Sequence, residues 1–365
     1  MRGLYIHIPF CKHICLYCDF RKTVTLKREI MEKYIKYLNN EILSYKDKYK
    51  DCNTIYIGGG TPNALPLDLL KSLFNTIDIF KEKLNIKEYS IEINPELLNI
   101  DQVNLFKKHN ITRVSIGAES FNDEILKKLG RHHCKEDIFN SVNLLKSEGI
   151  NNINVDLIFA HPFDNLDLVK ENLNNFYLLD IPHISYYSMI LEDKTVFKYQ
   201  YDRNEIEMPS EDLSADLFEF IINDLEDHNY KQYEISNFSK EGFESIHNEI
   251  YWKDLEYIGC GLNASGYLDN IRYTNSPNFK EYYLGKKETE VIDEETNRNE
   301  YMMLGLRMVK GVSINEYHQR FNRNMLDDYS LDKFINDGLL EKVDGYIRFT
   351  RKGLMLGDIV FMEFV

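Results

Sequence analysis

The feature that most limits the folds open to this chain is an alternation, through its first half, between two kinds of segment. Short runs rich in β-branched and aromatic residues fall at 4–8, 54–57, 89–93, 113–116, 153–158 and 184–189. Between them lie longer stretches with helical spacing, among them 30–45, 67–80 and 139–145. The first kind reads as buried strand and the second as amphipathic helix. Strands separated by helices return as parallel neighbours, so the pattern predicts a parallel α/β sheet, open or curled into a partial barrel. Ligands of such sheets sit at the carboxyl ends of the strands. The unusual residues fall there: cysteines after the first run, Gly58, Gly59 and Gly60 after the second, Asn94 and Pro95 after the third.

A polar, irregular stretch at 198–210 is expected to close the alternation, followed by a helix at 213–225 and a strand or loop at 259–267. The character then changes. Helical segments at 300–309, 314–321 and 331–337 precede a hairpin around Asp344 and Gly345, which suggests a winged-helix-like module. The expected division is 1–205 for the partial barrel, 206–285 for an extension of it and 286–365 for the terminal helical module.

With 43% hydrophobic and 28% charged residues the composition is that of a globular protein. The net charge of −15, without a basic block, argues against a nucleic-acid partner. The densest apolar stretch, 359–365, is far too short to span a bilayer. No leader is recognised ahead of the first strand, so the expected compartment is the cytoplasm.

Of the six cysteines, Cys11, Cys15 and Cys18 are clustered, whereas Cys52, Cys134 and Cys260 are scattered and read as small buried residues. Clustered thiols in a cytosolic chain suggest metal ligands rather than bridges. The C-x₃-C-x₂-C spacing suits a [4Fe–4S] cubane with three protein ligands and one open iron. A zinc site completed by His7 or His13 is the alternative, and a chance group of inert core cysteines a third. Taken alone, the glycine triplet reads equally as an ordinary tight turn, and single charged residues as solvated groups.

The triad, the lead-in at 5–10 and Tyr17 between the last two cysteines resemble the radical S-adenosylmethionine (SAM) superfamily. Within it the chain is similar to the group that contains oxygen-independent coproporphyrinogen III oxidase and the HemW-type haem chaperones. The resemblance implies a partial (β/α)6 TIM-like barrel with the terminal module already described. It also implies a [4Fe–4S] cluster on Cys11, Cys15 and Cys18, with SAM on the open iron. Gly58 and Gly59 would then meet the methionine amino group, Arg131 its carboxylate, Glu92 the ribose hydroxyls or an ammonium group, and Asp156 the ribose. Tyr5 would lie beside the methionine part, and Tyr17 and Ile158 around the adenine. In the superfamily a reduced cluster cleaves the sulfonium and the resulting deoxyadenosyl radical abstracts hydrogen.

Some positions depart from the group's pattern. Glu119 stands where Gln is usual, which removes an N–H donor from a SAM contact and adds a charge. His161 stands in a place usually small, and reads more economically as a tolerated surface histidine than as a ligand. Asn263 and Ser265 replace a usual glycine and histidine.

Three features favour the chaperone branch over the decarboxylating oxidase. Phe20 replaces a further cysteine, few residues precede Tyr5, and His247-Asn248-Glu249-Ile250-Tyr251-Trp252 matches the H-N-x-x-Y-W pattern of the HemW type. The resemblance implies haem as cargo with His247 as an axial ligand. The chemistry of that segment alone reads as a satisfied histidine and a core tryptophan. Implied partners are haem or a porphyrinogen, a haem-acceptor protein, and a reductant such as flavodoxin or ferredoxin.

Overall fold

The structure is a computed structural model that describes residues 1–365 except Leu26, Asp47 and Tyr49. Six parallel strands form its centre: β1 (Arg2–Ile8), β2 (Cys52–Gly59), β3 (Glu88–Ile93), β4 (Arg113–Glu119), β5 (Ile153–Phe159) and β6 (His183–Ser188). Each expected run lies on one of them, within one or two residues at the amino end. The strands are buried over most of their length, because helices cover the outer face and side chains fill the inner one. Helices Arg28–Ser44, Leu67–Lys81, Lys135–Ser147 and Leu166–Leu179 supply that cover through apolar stripes such as Tyr34, Leu38 and Ile42.

The sheet runs on past both edges of the parallel core. Tyr257–Cys260 pairs in parallel with β1 and continues antiparallel through Ser265–Leu268, Ile271–Asn275 and Lys287–Val291. At the other edge β6 pairs antiparallel with Asn237–Ser239, which pairs with Lys231–Glu234. The last strand, Lys287–Val291, lies beyond the boundary expected at 285. A second apolar core begins at Met302 and gathers Leu306, Tyr317, Phe334 and Ile347. Its three-stranded sheet includes the expected hairpin, Leu340–Val343 with Tyr346–Phe349, beside helices Ile314–Phe321 and Leu331–Asn336.

Two expectations need correction. The stretch at 198–210 is not irregular at its start, because helix Val196–Asp202 occupies it. Thr195 accepts the Lys198 N–H as its cap, and buried Phe197 anchors the turn beneath the cysteine loop. His161 is no surface residue: it is fully buried, accepts the Phe163 N–H at 3.2 Å, and burial pushes its imidazole down to about 4.

Candidate cofactor site at the barrel mouth

Backbone hydrogen bonds fix the cysteine loop on several sides. Gly60 and Thr61 donate to the carbonyls of Ile8 and Phe10, each at 2.8 Å. Leu16 donates to Leu129, and Phe197 donates to Leu16, each at 3.1 Å. The loop is therefore set by the ends of β1 and β2, by helix Asp123–Leu129 and by the helix that begins at Val196. Gly60 could not be another residue without a shift, since a Cβ there would come within 2.8 Å of the Ile8 carbonyl and 3.0 Å of the Cys11 sulfur.

A cavity of about 230 Å³ opens above the carboxyl ends of the strands, and all three clustered sulfurs line it. Thr61 Oγ1 donates to Cys11 Sγ at 3.6 Å, and Arg131 Nη1 to Cys15 Sγ at 3.5 Å. Lys22 donates to the Cys18 carbonyl. Burial raises the Cys11 and Cys18 thiols, and Thr61 and Lys22 oppose that rise in favour of the thiolate, the form that binds metal. Of the two histidines that could complete a zinc site, His7 is engaged elsewhere, whereas His13 lines the same cavity with its Nε2 buried and without a hydrogen-bond partner. His7 bonds the Tyr5 hydroxyl and the Arg21 carbonyl, each at 2.9 Å, and His13 stacks on His132 with centroids 3.7 Å apart. As placed, the thiols make no single-ion site among the described residues.

Glu92, Glu119 and Asp156 converge on the same cavity, together with Arg131. Glu92 accepts from Tyr56 Oη at 2.8 Å and from the Gly59 N–H at 3.0 Å. Gly59 has φ +108°, and a Cβ on Gly58 would lie 2.8 Å from the Glu92 carboxylate, so the glycines allow this close approach. Asp156 accepts from Ser115 Oγ and Asn154 Nδ2, each at 2.8 Å. Glu119, in the left-handed region at φ +62°, accepts from Tyr187 Oη at 3.0 Å and lies 3.7 Å from Arg131 Nη1. Arg131 also donates to Asn94 Oδ1 at 3.2 Å, while its Nε is buried without a partner.

Three carboxylates, Glu119 buried and Glu92 and Asp156 half-buried, face Arg131 and Lys22 across the cavity, and burial raises the pKa of each carboxyl. A ligand with cationic centres, hydroxyls and one carboxylate for the orphan Arg131 Nε would complete the set. SAM carries those groups, so the donors present fit it, as the sulfurs fit a cluster.

Burial moves the Glu92 carboxyl from 4.5 to about 7, with the Tyr56 hydrogen bond opposing the shift. The unfolded chain has then lost a proton that the folded protein still holds. The stability that Glu92 contributes to the ligand-free protein is present in full below the ordinary carboxylate range and is lost as pH rises through about 7. Thermal denaturation across that window should show the decline, and Glu92→Gln should flatten it. Equal slopes for the two proteins would refute the assignment.

The structure brings Cys11, Cys15, Cys18, Tyr17, Gly59, Glu92, Glu119, Arg131 and Asp156 to the cavity wall. Gly58 lies directly behind Glu92, and Ile158 packs in the cluster that holds Tyr17. Tyr5 does not line the wall, where Tyr56 stands instead, its ring 6.3 Å from that of Tyr5. Tyr56 and Tyr187 escaped the sequence reading, although a tyrosine among isoleucines in a buried strand was a signal for the first. Asn263 has φ +60°, which accounts for a usual glycine there, and Ser265 bonds Thr274 within the edge hairpin.

His247 requires a correction. It is 1% exposed at the amino end of β1 and β2, stacked on Tyr56. Its Nδ1 bonds Thr54 Oγ1 and its Nε2 bonds Tyr251 Oη, both at 2.8 Å, and burial pushes its pKa down to about 3. Neither nitrogen is available to an iron in this arrangement, so the segment's histidine is the satisfied core residue that its chemistry alone suggested.

A parallel barrel that carries a cysteine triad at its mouth defines a radical SAM protein, and residues 5–175 match the Radical SAM superfamily. Residues 292–356 match the HemN C-terminal domain. The chain is 38% identical to the heme chaperone HemW of Lactococcus lactis, over 99% of this chain and 96% of that one. It is 34% identical to HemW of Bacillus subtilis, over 100% and 99%. Among solved structures, coproporphyrinogen III oxidase (HemN) of Escherichia coli superposes with a TM-score of 0.84 at 21% identity, covering 99% of this chain and 89% of that one, a likeness of fold. The chain belongs to the HemW family of heme chaperones.

Proposed function

We propose that this protein carries haem, holding a [4Fe–4S] cluster on Cys11, Cys15 and Cys18 and SAM beside it, and that it delivers the haem to an acceptor protein. The supporting observation is the cavity in which three sulfurs, three carboxylates and an arginine with an orphan N–H meet. A cluster held by Cys11, Cys15 and Cys18 would supply single-electron chemistry there, with a flavodoxin or ferredoxin as the class of reductant that would recharge it. Arg131 orients the ligand's carboxylate, Glu92 and Asp156 bind its ammonium and ribose hydroxyls, and Tyr17 covers its adenine. No helix among the described residues is long and apolar enough to cross a membrane. The cytoplasm, where flavodoxins and ferredoxins work, is the proposed compartment.

Anaerobic reconstitution with iron, sulfide, SAM and haemin tests the reading. The carrier should take up cluster and haem and pass haem to an apo-acceptor, without converting coproporphyrinogen III to protoporphyrinogen. Conversion above background would instead show an oxidase, and a protein that binds no haemin is no carrier.

Glu119 competes for Arg131. Glu119→Gln keeps an acceptor for Tyr187 but removes the charge 3.7 Å from the guanidinium. SAM should then bind about three- to tenfold more tightly, the worth of roughly 1 kcal/mol. Equilibrium dialysis of both proteins checks this, and weaker binding by the variant would reverse the assigned role.

A further inference from the structure

A cavity of about 640 Å³ lies between helix Ile246–Trp252 and the carboxy-terminal unit, away from the cysteines. Nothing in the chemistry at the barrel mouth uses it. We propose that this cleft is the seat of the haem, with the Met308 thioether as the axial donor to iron; the proposal rests on the carrier reading and gives it a location.

Size is the first argument. The cavity at the cysteines has about 230 Å³, which a cluster and SAM would claim, whereas the cleft falls inside the roughly 300–1,000 Å³ of small-molecule sites. Its walls are the second. Trp252, Tyr301 and Tyr346 line it with ring surface, which suits a flat macrocycle. Charge is the third. Lys253, Lys310 and Arg320 line the cleft in a chain whose net charge is −15; Lys253 is paired with Glu249 and Arg320 with Asp254. Two propionates could pair with these cations, all three of which are exposed, the Lys310 ammonium 4.6 Å from the Tyr346 centroid.

One buried nitrogen of the wall also lacks an acceptor. Trp252 Nε1 has no hydrogen-bond partner, and the guanidinium of Arg307, which does not line the cleft, lies 4.4 Å from the indole centroid. A buried N–H left unmet costs about 1–3 kcal/mol, and a propionate oxygen in the cleft is of the right chemistry to meet it.

The donor follows from what lines the cleft. No histidine does so among the described residues, and Met308 does. Its backbone is held: Met308 N donates to Gly305 O at 3.1 Å, Gly311 N donates to Met308 O at 2.8 Å, and the residue bridges to Glu234. A thioether binds iron without shedding a proton and more weakly than an imidazole, which suits a protein that must surrender its cargo. The chaperone motif then serves through its last residue, Trp252, while His247 and Tyr251 fasten the helix to the barrel.

Haemin titration of the intact protein, followed through the Soret band, decides the matter. Met308→Leu should lose the far-red thioether-to-iron band and weaken binding about tenfold, or roughly 1.4 kcal/mol. Met308→His should bind and show an imidazole-ligated spectrum. Lys310→Glu, at an exposed position that cannot endanger the fold, should weaken binding. Replacing Cys11, Cys15 and Cys18 together should leave the affinity within about twofold, as for sites that share no partner. A Met308→Leu protein with the wild-type spectrum and affinity would overturn the cleft, as would loss of haemin binding with the cysteines, and either result leaves the carrier reading standing. A wild-type protein that takes up no haemin would end both.

Discussion

An anaerobically reconstituted Cys15→Ala protein is expected to hold almost no iron or sulfide and to lack the brown absorbance of the wild type. Three protein ligands are the fewest that leave one cubane corner open, and with two the assembly loses a second corner to solvent. The deficit should exceed the roughly 10–100-fold in metal affinity that outer-shell changes cost. The substitution also withdraws the partner of Arg131 Nη1, so SAM binding should fall with the iron. The loop itself should stay in place, because Leu16 is tied to Leu129 and Phe197 through its backbone. Iron and sulfide assays beside circular dichroism separate the outcomes. Normal iron with an unchanged fold would remove Cys15 from the ligand set, and with it the basis of the proposed function.

Replacing His247 with Ala is expected to act on stability rather than on haem. The side chain fills space beside Gly3, Ile250 and Tyr56, and its loss leaves Thr54 Oγ1 and Tyr251 Oη without their partner inside the barrel. Cavity and unmet hydrogen bonds together should cost on the order of 3 kcal/mol. The helix that bears it is also held by Glu88, which accepts from the Ile246 N–H at 2.8 Å and the His247 N–H at 3.2 Å, so the folded variant should keep Trp252 in place. Denaturant unfolding together with a Soret titration distinguishes the roles. An unchanged unfolding midpoint with a lost Soret band would mean that the imidazole reaches the iron after all.

The opposite fates of His247 and Trp252 show where sequence reasoning reached its limit. One six-residue motif supplies a histidine to the barrel interior and a tryptophan to the wall of a distant cleft, because helix Ile246–Trp252 crosses from one core toward the other. Spacing along a helix tells which residues share a face; it does not tell what each face meets. The same limit hid Tyr56 and Tyr187, whose strands were recognised but whose inward orientation depends on register. It also misplaced His161, since a polar residue after a strand reads as exposed until the neighbouring chain covers it.

What the sequence determined alone were the quantities that local chemistry and periodicity control. Strand and helix alternation set the parallel sheet, because a right-handed crossover leaves few other topologies. The cysteine spacing and the glycines marked the cofactor end, since tight loops and close backbone approach demand those residue types. Tertiary structure alone decided which distant groups share a cavity: Glu92, Glu119, Arg131 and Asp156 come from separate segments and meet only when the strands curl side by side. It decided as well that Met308 and Trp252 face one cleft, through contacts between two cores that no local pattern encodes. The physical reason is that side-chain type acts over a few ångströms, whereas the pairing of remote strands sets which side chains come that close.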